Sequence, residues 1–561
     1  MADTAIVSLD TLLADPLFDP RHHLAADEQD ELTYRQLGHL NHILAADLPL
    51  VSGDQRLLRN LLELTAVTSP SLFMAFFLHH GMATGAIVDY GGDPVELPGF
   101  GAVMMTELGY GSSSANLLTE AHYDPATGDF ALRTPCEAAV KFPSNIGAGG
   151  PAKWGVVSAR LIVDGMDRGP FLFRLQLRDA DGPRPGVNIR NIAAFPQIQL
   201  DYGSARFTDA RVPRSGWLAD GATITDGVFR DPLGDSAERT QRTVSVSRIA
   251  HCSVSLGLAA MARACLAAAI PFARRRLANN RFGDRRPLIA FRNEQRRLVD
   301  GLASAFAATA LARRTAPTGL KMHARLSTQE LRGVWLVKVA VSRLAAAAAA
   351  RAQESCGAAG YVVDNGVLRY CDFASTFQNS GGDNQMYLLN AAYGMVEGHD
   401  YEPPDAAEAT ADGVLDRCLA LLRRREHDLY WQLVTARDEV TAGPFAGWNG
   451  LADEAQRFVE AHVARMTVAE FRAYAAEDTT LLALCELLAV NEVLEHDGWH
   501  LTEDTVKPAA LRELSTAADR IHDRLVGDLD GLVRLLEIPA AVLRSPLADD
   551  RLSDTVAPAQ H

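Results

Sequence analysis

The segment Gly99–Pro135, with the sequence GFGAVMMTELGYGSSSANLLTEAHYDPATGDFALRTP, is the point at which the character of the chain changes. It is rich in glycine and in short polar side chains, which favour turns and a close approach of the backbone. The residues before it place apolar side chains three and four positions apart, which predicts amphipathic helices. After it, short β-rich runs alternate with turn residues. The segment therefore predicts the entry of a helical N-terminal part into a β domain.

Outward from this segment, the sequence predicts an α+β protein of several domains. An N-terminal helical domain covers residues 1–98, and a central, barrel-like β domain covers residues 99–225. Two helical bundles follow, over residues 226–403 and 404–561. Strands and helices do not alternate in βαβ order, and no GxGxxG motif follows a predicted strand. This pattern argues against a nicotinamide-binding sheet.

The composition limits the classes of partner. The 561 residues carry 54 basic and 70 acidic side chains, a formal net charge of −16. This balance argues against nucleic acid or an anionic membrane as partner, because both attract basic proteins. No run of about 18 apolar residues predicts a membrane span, and the N-terminal residues do not form a signal-peptide pattern. The seven cysteines are scattered, so we expect reduced thiols, a cytoplasmic location and no metal centre.

Short motifs along the chain resemble those of one family, the acyl-CoA oxidases of the acyl-CoA dehydrogenase superfamily. The motifs are TELGYGS at 106–112, HYDP at 122–125, RFG at 281–283, QESCGAAGY at 353–361 and LEIP at 536–539. Each is weak alone, but together they occur in the family's order with compatible spacing. The resemblance implies an N-terminal helical domain, a β domain and two helical bundles. It also implies an oxidoreductase that uses FAD as cofactor.

The resemblance further implies which residues contact the FAD. Thr106 would place its hydroxyl against the isoalloxazine ring, and glycines beside it would let the backbone approach the ring. The implied cofactor-binding residues are Thr106, Gly109, Gly111, Ser112, Asn145, Arg281, Phe282, Gly357 and Asn384. Arg281 and Phe282 would reach the FAD of a neighbouring subunit in a homodimer, and Gly357 would lie by the adenosine half. Where the family has two arginines and a glutamine before the phenylalanine, this chain has Asn279, Asn280 and Arg281.

The catalytic base of the family is missing from this sequence. In the family, a glutamate in a T-[FY]-E-G-[DE]-N motif removes the α-proton of the acyl thioester, a role that needs a positioned carboxylate. Twenty positions after Tyr361 the residue is Gly381, and the following Gly382–Asn384 match G-D-N. An alignment with an insertion would place Gln378 there instead. The alternative base position of some relatives, before Arg248, holds Ser247.

Three interpretations remain open without that glutamate. In the first, the protein acts on an acyl-CoA or an acyl-carrier-protein thioester, and another residue takes the proton. Candidates are His79, His80, His122 and His251. In the second, the flavin activates molecular oxygen and oxygenates a substrate in a biosynthetic pathway. In the third, the chain is a non-catalytic relative that keeps the fold as a binding or scaffold protein.

Overall fold

The computed structural model describes residues 15–19, 24–44, 55–92, 98–111, 114–192, 198–398, 400–406, 413–549 and 551. The chain divides into two compact units. The first comprises Met1–Val254 and Pro317–Leu331, and the second comprises Ser255–Ala316 and Arg332–His561. The finer division into four domains stays a prediction.

The first unit opens with the helices that the apolar spacing predicts. They are α1 (Ala26–Leu44), α2 (Gln55–Thr68) and α3 (Pro70–Phe76), followed by a π-helical stretch (Phe77–Thr84) and α4 (Gly85–Asp89). Helix α3 begins at Pro70, whose missing N–H costs nothing at a first helical position. All seven of its residues are buried, as expected for a helix that is apolar on every side.

A ten-stranded sheet forms the rest of this unit. Its strands are β1 (Phe100–Met104), β2 (Glu120–Tyr123), β3 (Phe130–Arg133), β4 (Lys141–Ser144), β5 (Lys153–Val163), β6 (Met166–Asp179), β7 (Gly182–Pro183), β8 (Val187–Asn191), β9 (Gly203–Val212) and β10 (Trp217–Leu218). The strand order is β10-β6-β5-β2-β3-β9-β4, with β1 on β5, β7 on β6 and β8 on β9. Apolar side chains such as Phe130, Phe171 and Phe173 pack into one core against it.

The sheet corrects two expectations. No pairing among the described strands closes it, so the barrel-like prediction is wrong. The terminal strands β10 and β4 have two and four residues, which is too short to complete a barrel wall. The sequence also predicts a strand over residues 198–202, but β9 begins at Gly203. Tyr202 N donates to Leu200 O at 2.7 Å, and this tight turn ends the extended backbone.

The hairpin β11 (Thr223–Thr225) and β12 (Val228–Arg230) leads to α5 (Ser236–Val244) and then to three long helices. These are α6 (Ser247–Arg275), α7 (Arg292–Gly319) and α8 (Thr328–Cys356). The sequence predicts helices over 244–280, 287–315 and 328–352, and the observed ends agree with these ranges to within about five residues. Between α6 and α7 the chain forms a small hairpin, β13 (Leu277–Ala278) and β14 (Arg286–Pro287).

The remaining helices belong to the second unit. They are α9 (Val367–Thr376), α10 (Asn384–Glu397), α11 (Val414–Asp438), α12 (Pro444–Gly450), α13 (Ala452–Ala475), α14 (Thr479–Glu495), α15 (Asp497–Thr502), α16 (Pro508–Val526), α17 (Leu529–Leu535) and α18 (Ala540–Leu543). The predicted helix over 519–536 is two helices, because Asp528 caps a new helix by accepting from Gly531 N at 3.1 Å.

Three described helical stretches are long and apolar enough to span a membrane, judged by length and composition. They are Pro70–Asp89, Ser236–Arg275 and Thr328–Tyr361, and 83%, 89% and 61% of their most apolar windows are buried in the protein. Burial in the core accounts for most of this apolar surface. The absence of a membrane partner stays a prediction.

Candidate functional site

A buried ion pair anchors the turn after β1, where the TELGYG motif lies. The Glu107 carboxylate accepts from Leu118 N at 2.7 Å and from the Thr119 hydroxyl at 2.6 Å, and it pairs with Lys141 Nζ at 3.1 Å. Burial lowers the pKa of Lys141 to about 8, although Glu107 opposes the shift. Lys141 also donates to Met105 O at 3.3 Å. The pair therefore fixes the backbone on both sides of Thr106.

Two predicted flavin-contacting residues, Thr106 at this turn and Asn145 after β4, carry polar atoms that can accept or donate a further hydrogen bond. The carbonyl of Thr106 accepts from Phe142 N at 3.1 Å, but its hydroxyl makes no hydrogen bond with another described residue. Asn145 is 1% exposed and donates to Gly101 O at 3.3 Å. Its Oδ1 is buried and accepts no hydrogen bond from the described residues. A buried acceptor of this kind is costly unless a partner binds it.

The two glycines of the turn after β1 differ in how closely other atoms pack against them. A Cβ atom on Gly109 would lie 2.5 Å from the Ala138 Cβ, so glycine is required there for the turn to pack on the 3₁₀ helix Glu137–Ala139. A Cβ atom on Gly111 would meet nothing within 4 Å, which leaves its surroundings open. Ser112, the next predicted cofactor residue, lies outside the described residues.

The histidines proposed as replacement bases are engaged in the fold. Burial lowers the pKa of His79 to about 3, and its Nδ1 accepts from Gly101 N at 2.8 Å. Burial also holds the pKa of His80 well below its ordinary value. His122 pairs with Glu120 at 2.8 Å on β2, and His251 is buried in α6. His79 and His80 are therefore too weakly basic to take a proton from a weak acid.

A carboxylate does lie near the alternative base position, but two arginines hold it. Asp89 pairs with Arg248 at 2.6 Å and with Arg242 at 2.8 Å, and all three side chains are buried. Burial alone would raise the pKa of Asp89, but Arg248 and Arg242 outweigh it and lower the pKa. His323 N donates to the same carboxylate at 2.7 Å. Asp89 is therefore a structural anchor.

In the second unit, the predicted base position lies in a glycine turn before α10. Gly381 has φ +64° and Gly382 has φ +96°, a backbone region that glycine adopts readily. A Cβ atom on Gly382 would lie 2.0 Å from the Tyr387 hydroxyl. A Cβ atom on Gly381 would meet only the Phe377 ring, at 3.8 Å. The position therefore has room for a side chain but carries none.

Residues on one face of α8 form hydrogen bonds with this turn. Lys338 Nζ donates to Gly382 O at 2.5 Å and to Asn384 Oδ1 at 3.0 Å. Asn384 Nδ2 donates to the Ser342 hydroxyl at 2.9 Å. Burial lowers the pKa of Lys338 to about 7, although Asp383 opposes the shift. Both polar ends of the Asn384 side chain are thus used within the protein.

The other predicted cofactor residues of this unit lie at the β13–β14 hairpin and a neighbouring groove. Arg281 and Phe282 are at the tip of the hairpin, and Phe282 is 94% exposed. Gly357 lines a groove of about 980 Å³. Arginines and glutamates also line it: Arg276, Arg285, Arg297, Glu294 and Glu354. Arg297 pairs with Glu294 and Glu354, so Arg276 and Arg285 leave the groove with excess positive charge.

Residues 237–396 match the family model described as "Acyl-CoA dehydrogenase, C-terminal domain". The chain is 30% identical to human peroxisomal acyl-coenzyme A oxidase 3 over 302 residues, which are 48% of this chain and 41% of that protein. It is 23% identical to peroxisomal acyl-coenzyme A oxidase 2 of Arabidopsis thaliana, over 94% of this chain and 84% of that protein. The fold matches acyl-CoA oxidase 3 of Yarrowia lipolytica with a TM-score of 0.84 at 18% identity, over 100% of this chain and 90% of that one.

The chain is similar to acyl-CoA oxidases and acyl-CoA dehydrogenases, in sequence over the ranges given above and in fold over its whole length. The first curated relatives are matched over less than half of their own length, 41% and 31%.

The predicted cofactor residues lie at several places. Thr106, Gly109 and Gly111 lie at the turn after β1, and Asn145 follows β4 and contacts Gly101 near the start of β1. Asn384 begins α10 after the glycine turn, Arg281 and Phe282 lie at the hairpin, and Gly357 lines the groove, whereas Ser112 lies outside the described residues. Sequence reasoning missed Lys141 as a supporting residue, and it missed the α8 face altogether. Lys338 interrupts the apolar run over 334–341 of α8, with Trp335 three residues before it and Ser342 four residues after it, a signal that could have pointed to them.

Proposed function

We propose that this protein is an FAD-dependent oxidoreductase of the acyl-CoA oxidase type that acts on an acyl thioester without the usual glutamate base. The main support is two polar groups of the first unit with capacity for a ligand: the Thr106 hydroxyl, beside the buried Glu107–Lys141 pair, and the buried Oδ1 of Asn145. An acyl-CoA oxidase-2 of Caenorhabditis elegans with a TM-score of 0.85 to this chain, at 19% identity, is bound with FAD, ascaroside-CoA and ATP.

The residues of the first unit fit a flavin edge. The Thr106 hydroxyl is free to donate, the open space at Gly111 allows a planar ring to approach, and Asn145 Oδ1 can accept from a ring N–H. The Glu107–Lys141 pair keeps this backbone from moving. Bound FAD would accept a hydride from the substrate carbon, and the chain would bind and orient the ring.

The groove of the second unit fits the adenosine and phosphate half of FAD. Arg276 and Arg285 offer donors to phosphate oxygens, and Gly357 with φ +56° lets the backbone come close. In this proposal the FAD belongs to a second copy of the chain, and the exposed Phe282 and Arg281 reach across the interface of a homodimer. An exposed phenylalanine at a hairpin tip suits such a contact.

Proton removal needs a group other than residue 381. Gly381 has no side chain, and the histidine candidates described above have structural partners. A second candidate function is oxygenation of a substrate, and one specific observation favours it: the open space beside Gly381. That space could hold a substrate to which flavin-activated oxygen is transferred. In that case no α-proton is removed and no carboxylate is needed.

Anaerobic mixing of the flavin-bound protein with butanoyl-, octanoyl- and hexadecanoyl-CoA distinguishes the two candidate functions, dehydrogenation and oxygenation. Dehydrogenation predicts bleaching of the flavin absorbance by at least one thioester. Absence of bleaching with all three, together with NADPH-dependent oxygen consumption, would favour oxygenation. A flavin-bound protein that shows neither reaction would contradict both and favour a binding role.

The compartment is a proposal as well. The human and Arabidopsis relatives carry peroxisomal names, whereas we propose a cytoplasmic location for this chain. The described cysteines are all free thiols, which is compatible with a reducing compartment. A carrier-protein thioester and molecular oxygen are part of the same proposal.

A further inference from the structure

One face of α8 carries three side chains that all contact the segment around the vacant base position. Trp335, Lys338 and Ser342 are three and four residues apart, so they project from the same side of the helix. Their contacts fall on Gly381–Tyr387, the glycine turn and the first turn of α10. We refer to these three residues as the α8 clasp.

Each member of the α8 clasp holds a different part of the turn. The Trp335 ring stacks on the Tyr387 ring, with centroids 5.6 Å apart and an interplanar angle of 14°. Lys338 donates to one backbone carbonyl and one side-chain amide, at Gly382 and Asn384. Ser342 accepts from the same amide. The glycine turn and the first turn of α10 are therefore held through the Tyr387 ring, the Gly382 carbonyl and the Asn384 side chain.

Lys338 is an unusual residue to place there, because it is 1% exposed. No carboxylate forms an ion pair with it within the part of the chain that the structure describes. Burying an ammonium group against neutral acceptors costs free energy. A buried lysine is therefore seldom found where an apolar side chain would pack equally well. An alkyl side chain at 338 would fill the space but would leave Gly382 O and Asn384 Oδ1 without their donor.

We propose that the α8 clasp is a positioning device for the glycine turn, with Lys338 as its central positioning residue. Its ammonium holds the Gly382–Asp383 peptide in one orientation, so that the neighbouring residue 381 presents the same geometry to the substrate in every molecule. The inference rests on the proposed function, since it assigns this turn to the substrate side of a flavin site. Rigid support of this kind matters because small misplacements near reacting atoms reduce rates strongly.

Hydrogen exchange of the flavin-bound protein tests the clasp without any substrate. The reporters are the amide of Asn384, which donates to Gln378 O at 3.0 Å, and the amide of Gln385, which donates to the Asp383 carboxylate at 2.8 Å. We expect Lys338→Met to speed exchange at these amides by about tenfold or more, while amides in the middle of α8 stay protected. Lys338→Arg should restore most of the protection, and Lys507→Met, at an exposed lysine, should change nothing.

Two results of that experiment would overturn the proposal. Unchanged exchange at Asn384 and Gln385 in Lys338→Met would show that the turn does not depend on the clasp. Faster exchange along the whole of α8 and α10 would show a general structural role instead of a positioning one.

A kinetic experiment tests whether the α8 clasp affects the rate of the proposed reaction. Octanoyl-CoA bleaches the flavin of the Gly381→Glu variant if the proposed function holds. Adding Lys338→Met to that variant should lower the maximal bleaching rate by about tenfold or more, with a smaller change in the thioester concentration at half-maximal rate and with the same flavin content. Equal rates with and without Lys338→Met would overturn the proposal. If Gly381→Glu itself gives no bleaching, the proposed dehydrogenation fails, and hydrogen exchange still decides whether the clasp exists.

Discussion

At the scale of single residues, the proposed loss of the catalytic base rests on Gly381. Its positive φ disfavours other residues but does not forbid them, at a cost of about 1–3 kcal/mol. The space around it is free, with the Phe377 ring at 3.8 Å as the nearest group to an added Cβ atom. The neighbouring Gly382 is different, because the Tyr387 hydroxyl fills the place of its side chain. The two glycines therefore form a matched pair for testing.

We predict that Gly381→Glu gains acyl-CoA dehydrogenation, because it returns a carboxylate to the vacant position without a clash. The measurement is flavin bleaching under anaerobic conditions and hydrogen peroxide formation in air. Gly382→Glu is the control, and it should lower the melting temperature without any gain in activity. A folded, flavin-bound Gly381→Glu protein whose flavin bleaches no faster than that of the parent would contradict the assignment of this position.

The Glu107–Lys141 pair is the second residue-scale feature. Both side chains are almost fully buried, so removing one charge leaves the other without compensation. We predict that Glu107→Gln lowers the free energy of unfolding by about 3–5 kcal/mol, measured by urea denaturation at neutral pH. The exposed Glu137, which pairs with Arg206 at the surface, supplies the control. Glu137→Gln should change the free energy by less than about 1 kcal/mol, and equal effects of the two substitutions would be inconsistent with this account.

At the scale of elements, α11 and α13 are joined by a buried carboxylate. Glu426 is contacted by His462 Nδ1 at 2.8 Å and by the Arg465 guanidinium and the Tyr401 hydroxyl. Burial would raise the pKa of Glu426, but the bonds from His462 and Arg465 lower it to about 2. An acid whose pKa is lowered by folding stabilises the fold above its ordinary pKa. That stabilisation is lost as the pH falls through the folded pKa.

We therefore predict that the second unit loses about 3 kcal/mol of stability between pH 4.5 and about 2 because of Glu426. Glu426→Gln should remove this acid-dependent part and should destabilise the protein at pH 7. Denaturation midpoints across this pH range measure both effects, with the exposed Glu439→Gln as control. A Glu426→Gln protein with an unchanged acid profile would refute the assignment.

The tip of the β13–β14 hairpin contributes little to the stability of the second unit. Substitutions at this tip therefore test cofactor binding instead of folding. Phe282 is 94% exposed, so Phe282→Ala and Arg281→Ala should change the melting temperature very little. In the proposed homodimer they should instead weaken FAD retention, measured as flavin released during gel filtration. Arg230→Ala, at an exposed arginine of β12, is the control. Full retention in both hairpin variants would argue against a flavin site shared between subunits.

Much of this element layout could be predicted from the sequence. The long helices were predictable because their apolar spacing persists over many turns, and α3 because Pro70 begins a fully apolar run. The strand expected over 198–202 was not formed, since Asp201 turns inward to pair with Lys153 at 3.1 Å. The roles that the motifs assign to Thr106 and Gly381 stay predictions. The α8 clasp could not be predicted, because its partners come from a distant segment that only tertiary packing brings to Lys338.

At the scale of the whole molecule, fold and composition together restrict the function. The chain follows acyl-CoA oxidase 3 of Yarrowia lipolytica over its whole length, yet it has no carboxylate at residue 381. Its net charge of −16 argues against the use of this fold for binding nucleic acid. We therefore propose that the cofactor contacts of Thr106 and Asn145 are kept in this chain, whereas the base is lost.

The absorbance spectrum of the purified protein, before and after incubation with FAD, tests this account most directly. We predict a yellow protein with the bands of an oxidised flavin, and a tightly bound FAD for each chain. Asn145→Ala should reduce this binding, because it removes the buried acceptor that has no partner among the described residues. A folded protein that is colourless and takes up no FAD would contradict the central claim.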